Sequence, residues 1–188
     1  RKFKIAVSAG ATDRAATGFH DIGLRMVKNK AGQTGFRVLV GGGQGRTPRV
    51  AQQIAAFLPK HHLLSYLEAI LRVYNQAGRR DNLYKARIKI LVEAMGIDAF
   101  RDAVAAEWDK IRNSAIELPD AERDRILAHF APVDLPPFSA RDYMDDITRR
   151  RQTDRAFDQW MTRNITAHWH PDYCAVMISL KAIDRPPG

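Results

Sequence analysis

Apolar and polar residues alternate from the first residue onward. In Arg1-Lys2-Phe3-Lys4-Ile5-Ala6-Val7 the alternation predicts a strand over residues 1–9, with Phe3, Ile5 and Val7 packed inward and Lys2 and Lys4 sharing the other face. A loop of small residues follows at 10–20. Two further strands are predicted at Ile22 to Val27 and Phe36 to Val40, joined across residues 28–35 as a hairpin with a longer loop. After three glycines at 41–43, Thr47 and Pro48 read as an N-cap and a first-turn proline, which predicts a short helix through Phe57.

The period then becomes helical. Leu63, Leu64, Leu67, Ile70, Leu71 and Tyr74 form the apolar stripe of a helix over 60–77, closed by Gly78. A second helix, 82–95, carries Ile88, Leu91, Val92 and Met95 and ends at Gly96; a third, about 98–112, buries Phe100, Val104 and Trp108. Strands followed by packed helices define an α+β class, with a mixed or antiparallel sheet, rather than a regular βαβ alternation. Pro119, Pro132, Pro136 and Pro137 punctuate residues 117–140, which read as an interdomain linker interrupted by a short helix near 120–130. Beyond it, 141–163 predicts a helix rich in Arg and Asp, and Tyr173 to Leu180 a strand buried over most of its length.

Composition narrows the possible functions. No apolar run in the 188 residues approaches the roughly 20 needed to cross a bilayer, and no signal peptide is visible. The single cysteine, Cys174, excludes an internal disulfide framework or a site built from several cysteines; it reads as a small buried hydrophobe in a reducing compartment. The chain begins with Arg in mid-strand, as a fragment of something longer would. Charge is uneven: residues 1–96 hold 17 Lys and Arg against 5 Asp and Glu, a balance of +12, while residues 97–188 hold 13 against 16, a balance of −3. The first half therefore expects an acidic partner, whether nucleic acid, a polyanionic cofactor or a small oxyanion.

Three segments carry candidate chemistry. Lys2 and Lys4 would hold their ammonium groups within about 7 Å on one strand face. Like charges so close repel unless an anion lies between them, so the pair reads as an anion clamp or as a solvated, lysine-guarded edge. The turn Gly41-Gly42-Gly43-Gln44-Gly45-Arg46 could bring main-chain N–H groups to an anion, or could simply be tight; it is neither a P-loop nor a GxGxxG turn. In the basic stretch 78–89, Lys85 and Lys89 share a helix face behind Arg79 and Arg80, which would otherwise be a solvated basic face. The histidine pairs, His61 with His62 and His168 with His170, lack a third metal ligand at a recognisable spacing.

Read together, these segments resemble the hemoprotein of the sulfite and nitrite reductases that use sirohaem coupled to a four-iron, four-sulfur (4Fe-4S) cluster. The matching phrases are Arg1-Lys2-Phe3-Lys4, His20-Asp21-Ile22-Gly23-Leu24, Gly35 to Gly43, Tyr74 through Leu91, Asn164-Ile165-Thr166-Ala167-His168, and Ile178 to Gly188. The resemblance implies that residues 1–116 are the C-terminal part of the first sirohaem/4Fe-4S domain. Residues 117–140 would be a linker, and 141–188 the start of a second, ferredoxin-like α+β half-domain. It implies that Lys2 and Lys4 reach the sulfite or nitrite. Arg87 is the best match to a basic residue that holds the sirohaem carboxylates, with Lys89 close by; Gly41, Gly42, Gly43 and Arg46 fall in the family's glycine loop. The eight carboxyl groups of sirohaem give the basic half a partner.

The implied activity of the intact protein is six-electron reduction of sulfite to sulfide or of nitrite to ammonia in the cytoplasm. Ferredoxin or a flavoprotein subunit would donate electrons, without nucleic acid or membrane. The sequence also departs from the family. The four cluster cysteines and the arginines that precede the R-K-F-K strand are absent, Gln44 replaces an apolar residue, and Cys174 stands where a small residue is common. By itself the fragment is expected to hold neither cofactor stably. Competing readings are a nucleic-acid-binding module, supported by charge alone, and a catalytically inactive scaffold fragment.

Overall fold

The computed structural model describes residues 3–114, 116, 118–135 and 141–180, the side chains of residues 141 and 142 excepted. The chain divides into two compact units, residues 1–130 and 131–188. In the first, strands β1 (Ile5–Ser8), β2 (Ile22–Lys28), β3 (Thr34–Val40) and β4 (Gln52–Pro59) form one sheet in the order β1-β2-β3-β4. β1 runs parallel to β2 and the other pairs are antiparallel, so the sheet is mixed, as the α+β class requires. Helices α1 (Leu63–Ala77), α2 (Ile88–Met95) and α3 (Ile97–Ile111) supply the rest of the core. Ile22, Leu24, Val38 and Val40 from the sheet meet Ile70, Ile88, Phe100 and Val104 from the helices, all fully buried.

Three expectations for this unit are overturned. Residues 52–59 form β4, not the helix predicted after Pro48. Ile54 and Leu58 are four apart, an even spacing that shares a face in a strand as well as in a helix. The open edge of β3 decides for the strand by offering a hydrogen-bonding partner. Residues 82–95 are not one helix: Leu83–Lys85 make a 3-10 turn and α2 begins only at Ile88. The Asn82 side chain accepts from the Tyr84 N–H (2.9 Å), and the Tyr74 hydroxyl donates to the Ala86 carbonyl (2.6 Å), so both ends of the loop bond outside a helical pattern. Finally, Phe3, Ile5 and Val7 do not pack inward. Ile5 and Val7 stand in register with core residues Ile22 and Leu24 yet stay 40% and 53% exposed, while Ala6 and Ser8 are buried. β1 is the sheet edge, and a cleft of about 490 Å³ separates Phe3 from Leu71 and Tyr74 of α1.

Helix α4 (Asp120–Ala128) falls where a short helix was expected within 117–140, with no buried residue. In the second unit the helix predicted over 141–163 is two, α5 (Arg141–Thr153) and α6 (Arg155–Asn164). They part at Asp154, whose carboxylate caps α6 by accepting from the Phe157 N–H at 2.9 Å. β5 (Ile165–Ala167) and β6 (Cys174–Val176) form an antiparallel pair. The long buried strand expected at 173–180 is therefore three residues of exposed strand, and Cys174 is exposed rather than buried. The expectations for Lys2, for Pro136 and Pro137, and for Lys181 to Gly188 lie outside the described residues.

Candidate functional site

The loop between β3 and β4 folds back on itself where Gly43 and Arg49 exchange main-chain hydrogen bonds (3.0 and 2.8 Å). Gly42 is pressed against the preceding loop so closely that a Cβ there would lie 2.5 Å from the Gly18 carbonyl oxygen and 2.6 Å from that of His20. The N–H of Gly41 donates to the Asp21 carbonyl (3.0 Å) and that of Gly43 to Arg49. Both amides are thus engaged within the chain, and the glycine run supplies close backbone approach.

From the first turn of α2, the Lys89 ammonium donates to the carbonyls of Gln44 (2.8 Å) and Thr47 (2.7 Å) and so ties down the tip of this loop. Lys89 is only 9% exposed. An ammonium has three donors, of which these two carbonyls take two. Arg87, at the N-cap position of α2, presents Nε and Nη2 to the two carboxylate oxygens of Asp21 at 3.1 and 2.7 Å, a bidentate pair. Asp21 is 1% exposed and also accepts from the main-chain N–H of Lys4 at 2.9 Å.

These elements enclose a cavity of about 650 Å³ whose lining includes Arg46, Lys85, Arg87 and Lys89, with Asn82, Tyr84 and Thr47. No carboxylate lines it, and among the described residues neither Arg46 nor Lys85 has an acidic partner. Lys85 and Lys89 do not share a helix face as expected, because Lys85 lies in the 3-10 turn; both nevertheless reach the same cavity. Next to Asn82 in the chain, the Asp81 carboxyl is held down to about 2 by the Arg79 guanidinium. A smaller cavity of about 330 Å³ shares Lys89 and is lined by Gly41 together with Arg49 and Glu93, which pair with each other.

Of the residues singled out from sequence, the structure gathers Arg46, Arg87 and Lys89 around one cavity, sets Gly41 to Gly43 behind it, and joins Lys4 to Arg87 through Asp21. The Lys4 side chain is exposed. Lys2 lies outside the described residues. Lys85 belongs to the basic stretch already singled out; the participant that the sequence reading misses is Asp21, which lies inside a matching phrase. Its signal was nevertheless present: Asp21 is the one acid among eight Lys and Arg between residues 14 and 67.

A cavity lined by four cations and no carboxylate is of the class that suits anions, and its volume exceeds that of a single oxyanion. Comparison with known proteins gives the class its name. The family described as the nitrite and sulphite reductase 4Fe-4S domain matches residues 1–112, and the chain belongs to that family. It is 34% identical over 152 residues to the sulfite reductase [ferredoxin] of Synechococcus elongatus, covering 77% of this chain and 22% of that protein. It is 33% identical over 126 residues to the sulfite reductase [NADPH] hemoprotein beta-component of Chromohalobacter salexigens, covering 63% of this chain and 22% of that protein. Among solved structures it resembles the Mycobacterium tuberculosis NirA protein, with a TM-score of 0.54 and 29% identity over 63% of this chain and 21% of that one. The chain thus spans about a fifth of the length of these relatives.

The family binds sirohaem and a 4Fe-4S cluster, and the two fit this chain differently. A cluster held by four cysteines does not fit: the chain has one cysteine, and no group of three or more His, Cys, Asp or Glu gathers among the described residues. The cationic cavity does fit the carboxylates of a tetrapyrrole. No helix among the described residues is long and apolar enough to cross a membrane.

Proposed function

We propose that this chain forms part of the active-site wall of a sulfite or nitrite reductase, working in the cytoplasm with ferredoxin or a flavoprotein subunit as electron donor. In this reading residues 1–116 belong to the first reductase domain and 141–188 open the second. Sirohaem, when bound and fed with electrons through its cluster, supplies the iron at which the anion is reduced by six electrons. Arg46, Lys85, Arg87 and Lys89 hold its carboxylates, and the third donor of Lys89 is available to them. Gly41, Gly42 and Gly43 let the loop approach closely enough to bring Arg46 and Lys89 together. Lys2 and Lys4 neutralise the anion, and their Nζ atoms donate hydrogen bonds and protons as each oxygen leaves as water.

The observation that carries this reading is the cavity with four cations and no lining acid, joined to Lys4 by one buried carboxylate. In the intact reductase, Lys4→Met and Lys2→Met should each lower sulfite turnover by about tenfold or more, the scale of a lost charge-assisted donor. Turnover unchanged in both single variants would remove the lysines from the mechanism.

A further inference from the structure

Asp21 accepts three hydrogen bonds on its two carboxylate oxygens, two from Arg87 and one from the Lys4 main chain, and its carbonyl accepts a fourth from Gly41. Three segments far apart in sequence therefore meet on one residue that is 1% exposed: the start of β1, the turn after β3 and the start of α2. With Nε and Nη2 fixed, the Arg87 guanidinium has one orientation at the cavity wall, and its Nη1 is left for a ligand. We infer that Asp21 is a positioning residue. It locks the Arg87 fork toward the cavity and sets the main chain of Lys4 relative to it, so that the oxyanion side and the carboxylate side of the wall keep one geometry. The inference rests on the proposed reading of the cavity.

Sign separates this role from a purely electrostatic one. A carboxylate near an anionic ligand repels it, so if charge alone mattered, neutralising Asp21 would tighten binding. If Asp21 positions Arg87, neutralising it weakens binding, because an asparagine cannot accept from both arms of the fork.

The test titrates the 188-residue chain with uroporphyrin, a fluorescent porphyrin with eight carboxylates. Asp21→Asn is expected to weaken binding about tenfold. Arg87→Lys, which keeps the charge and loses the fork, should lose a similar amount, and the double variant no more than either single. Arg46→Ala, at a residue that does not touch Asp21, should cost its full amount on top of Asp21→Asn; a general collapse of the wall would erase that cost. Unchanged or tighter binding by Asp21→Asn overturns the positioning role, as do losses that add in the double variant. Unchanged affinity in Arg87→Lys overturns it even where Asp21→Asn fails to fold. No binding by the unmodified chain overturns the reading of the cavity, and the inference falls with it; binding that only the Asp21 variant leaves intact overturns the inference alone.

Discussion

Lys89 shows how a residue can serve stability and recognition together. Its ammonium replaces water with the Gln44 and Thr47 carbonyls and in doing so shapes the loop that carries Arg46. Lys89→Met leaves both acceptors without a donor and should cost about 1–3 kcal/mol, read as a lower urea midpoint. Gly42→Ala should cost a comparable amount, about 1–3 kcal/mol, because its Cβ would meet two carbonyl oxygens that belong to main chain and cannot rotate away. At this scale the sequence was partly legible. Arg87, Lys89 and Arg46 could be picked out by a basic phrase and a glycine turn. Asp21 was marked only as a lone acid among basic residues, since its burial and triple acceptor role arise only when residues 4, 21 and 87 are brought together in space.

Among elements, the helices with a strong apolar stripe, α1 and α3, are where the sequence placed them. The misread segments were those whose spacing suited two structures, as Ile54 and Leu58 do, or whose side chains bond locally to the backbone, as Asn82 and Asp154 do. The edge strand was misread for another reason: alternation predicts which side Ile5 and Val7 face but not whether anything covers them. Between α1 and α3, Glu107 pairs with Lys110 at 2.9 Å and with Arg72 at 3.3 Å. Those bonds, Lys110 first, hold its carboxyl below the usual carboxylate range. The unfolded chain then binds the proton more readily than the folded one, so the stabilisation is complete above the ordinary carboxylate pKa of about 4.3 and is lost as pH falls through the lower folded value. Glu107→Gln should flatten the acid side of the stability curve below about pH 4.3, measured by denaturant unfolding at a series of pH values. An unchanged acid slope would show that the pair contributes nothing.

For the molecule as a whole, four of the 17 Lys and Arg in residues 1–96, a stretch whose balance is +12, line one cavity that no carboxylate lines, and a polycarboxylate is the partner the proposed reading assigns to it. Family membership was legible in phrases that include the run from Tyr74 to Leu91, which also supplies Lys85, Arg87 and Lys89 to the cavity. The most direct measurement compares uroporphyrin with its uncharged octamethyl ester by fluorescence titration of the 188-residue chain at low and at high salt. The cationic wall predicts that the acid binds at least about 100-fold more tightly than the ester, roughly 2.7 kcal/mol, and that added salt narrows the gap. Equal affinity for acid and ester, insensitive to salt, would contradict it.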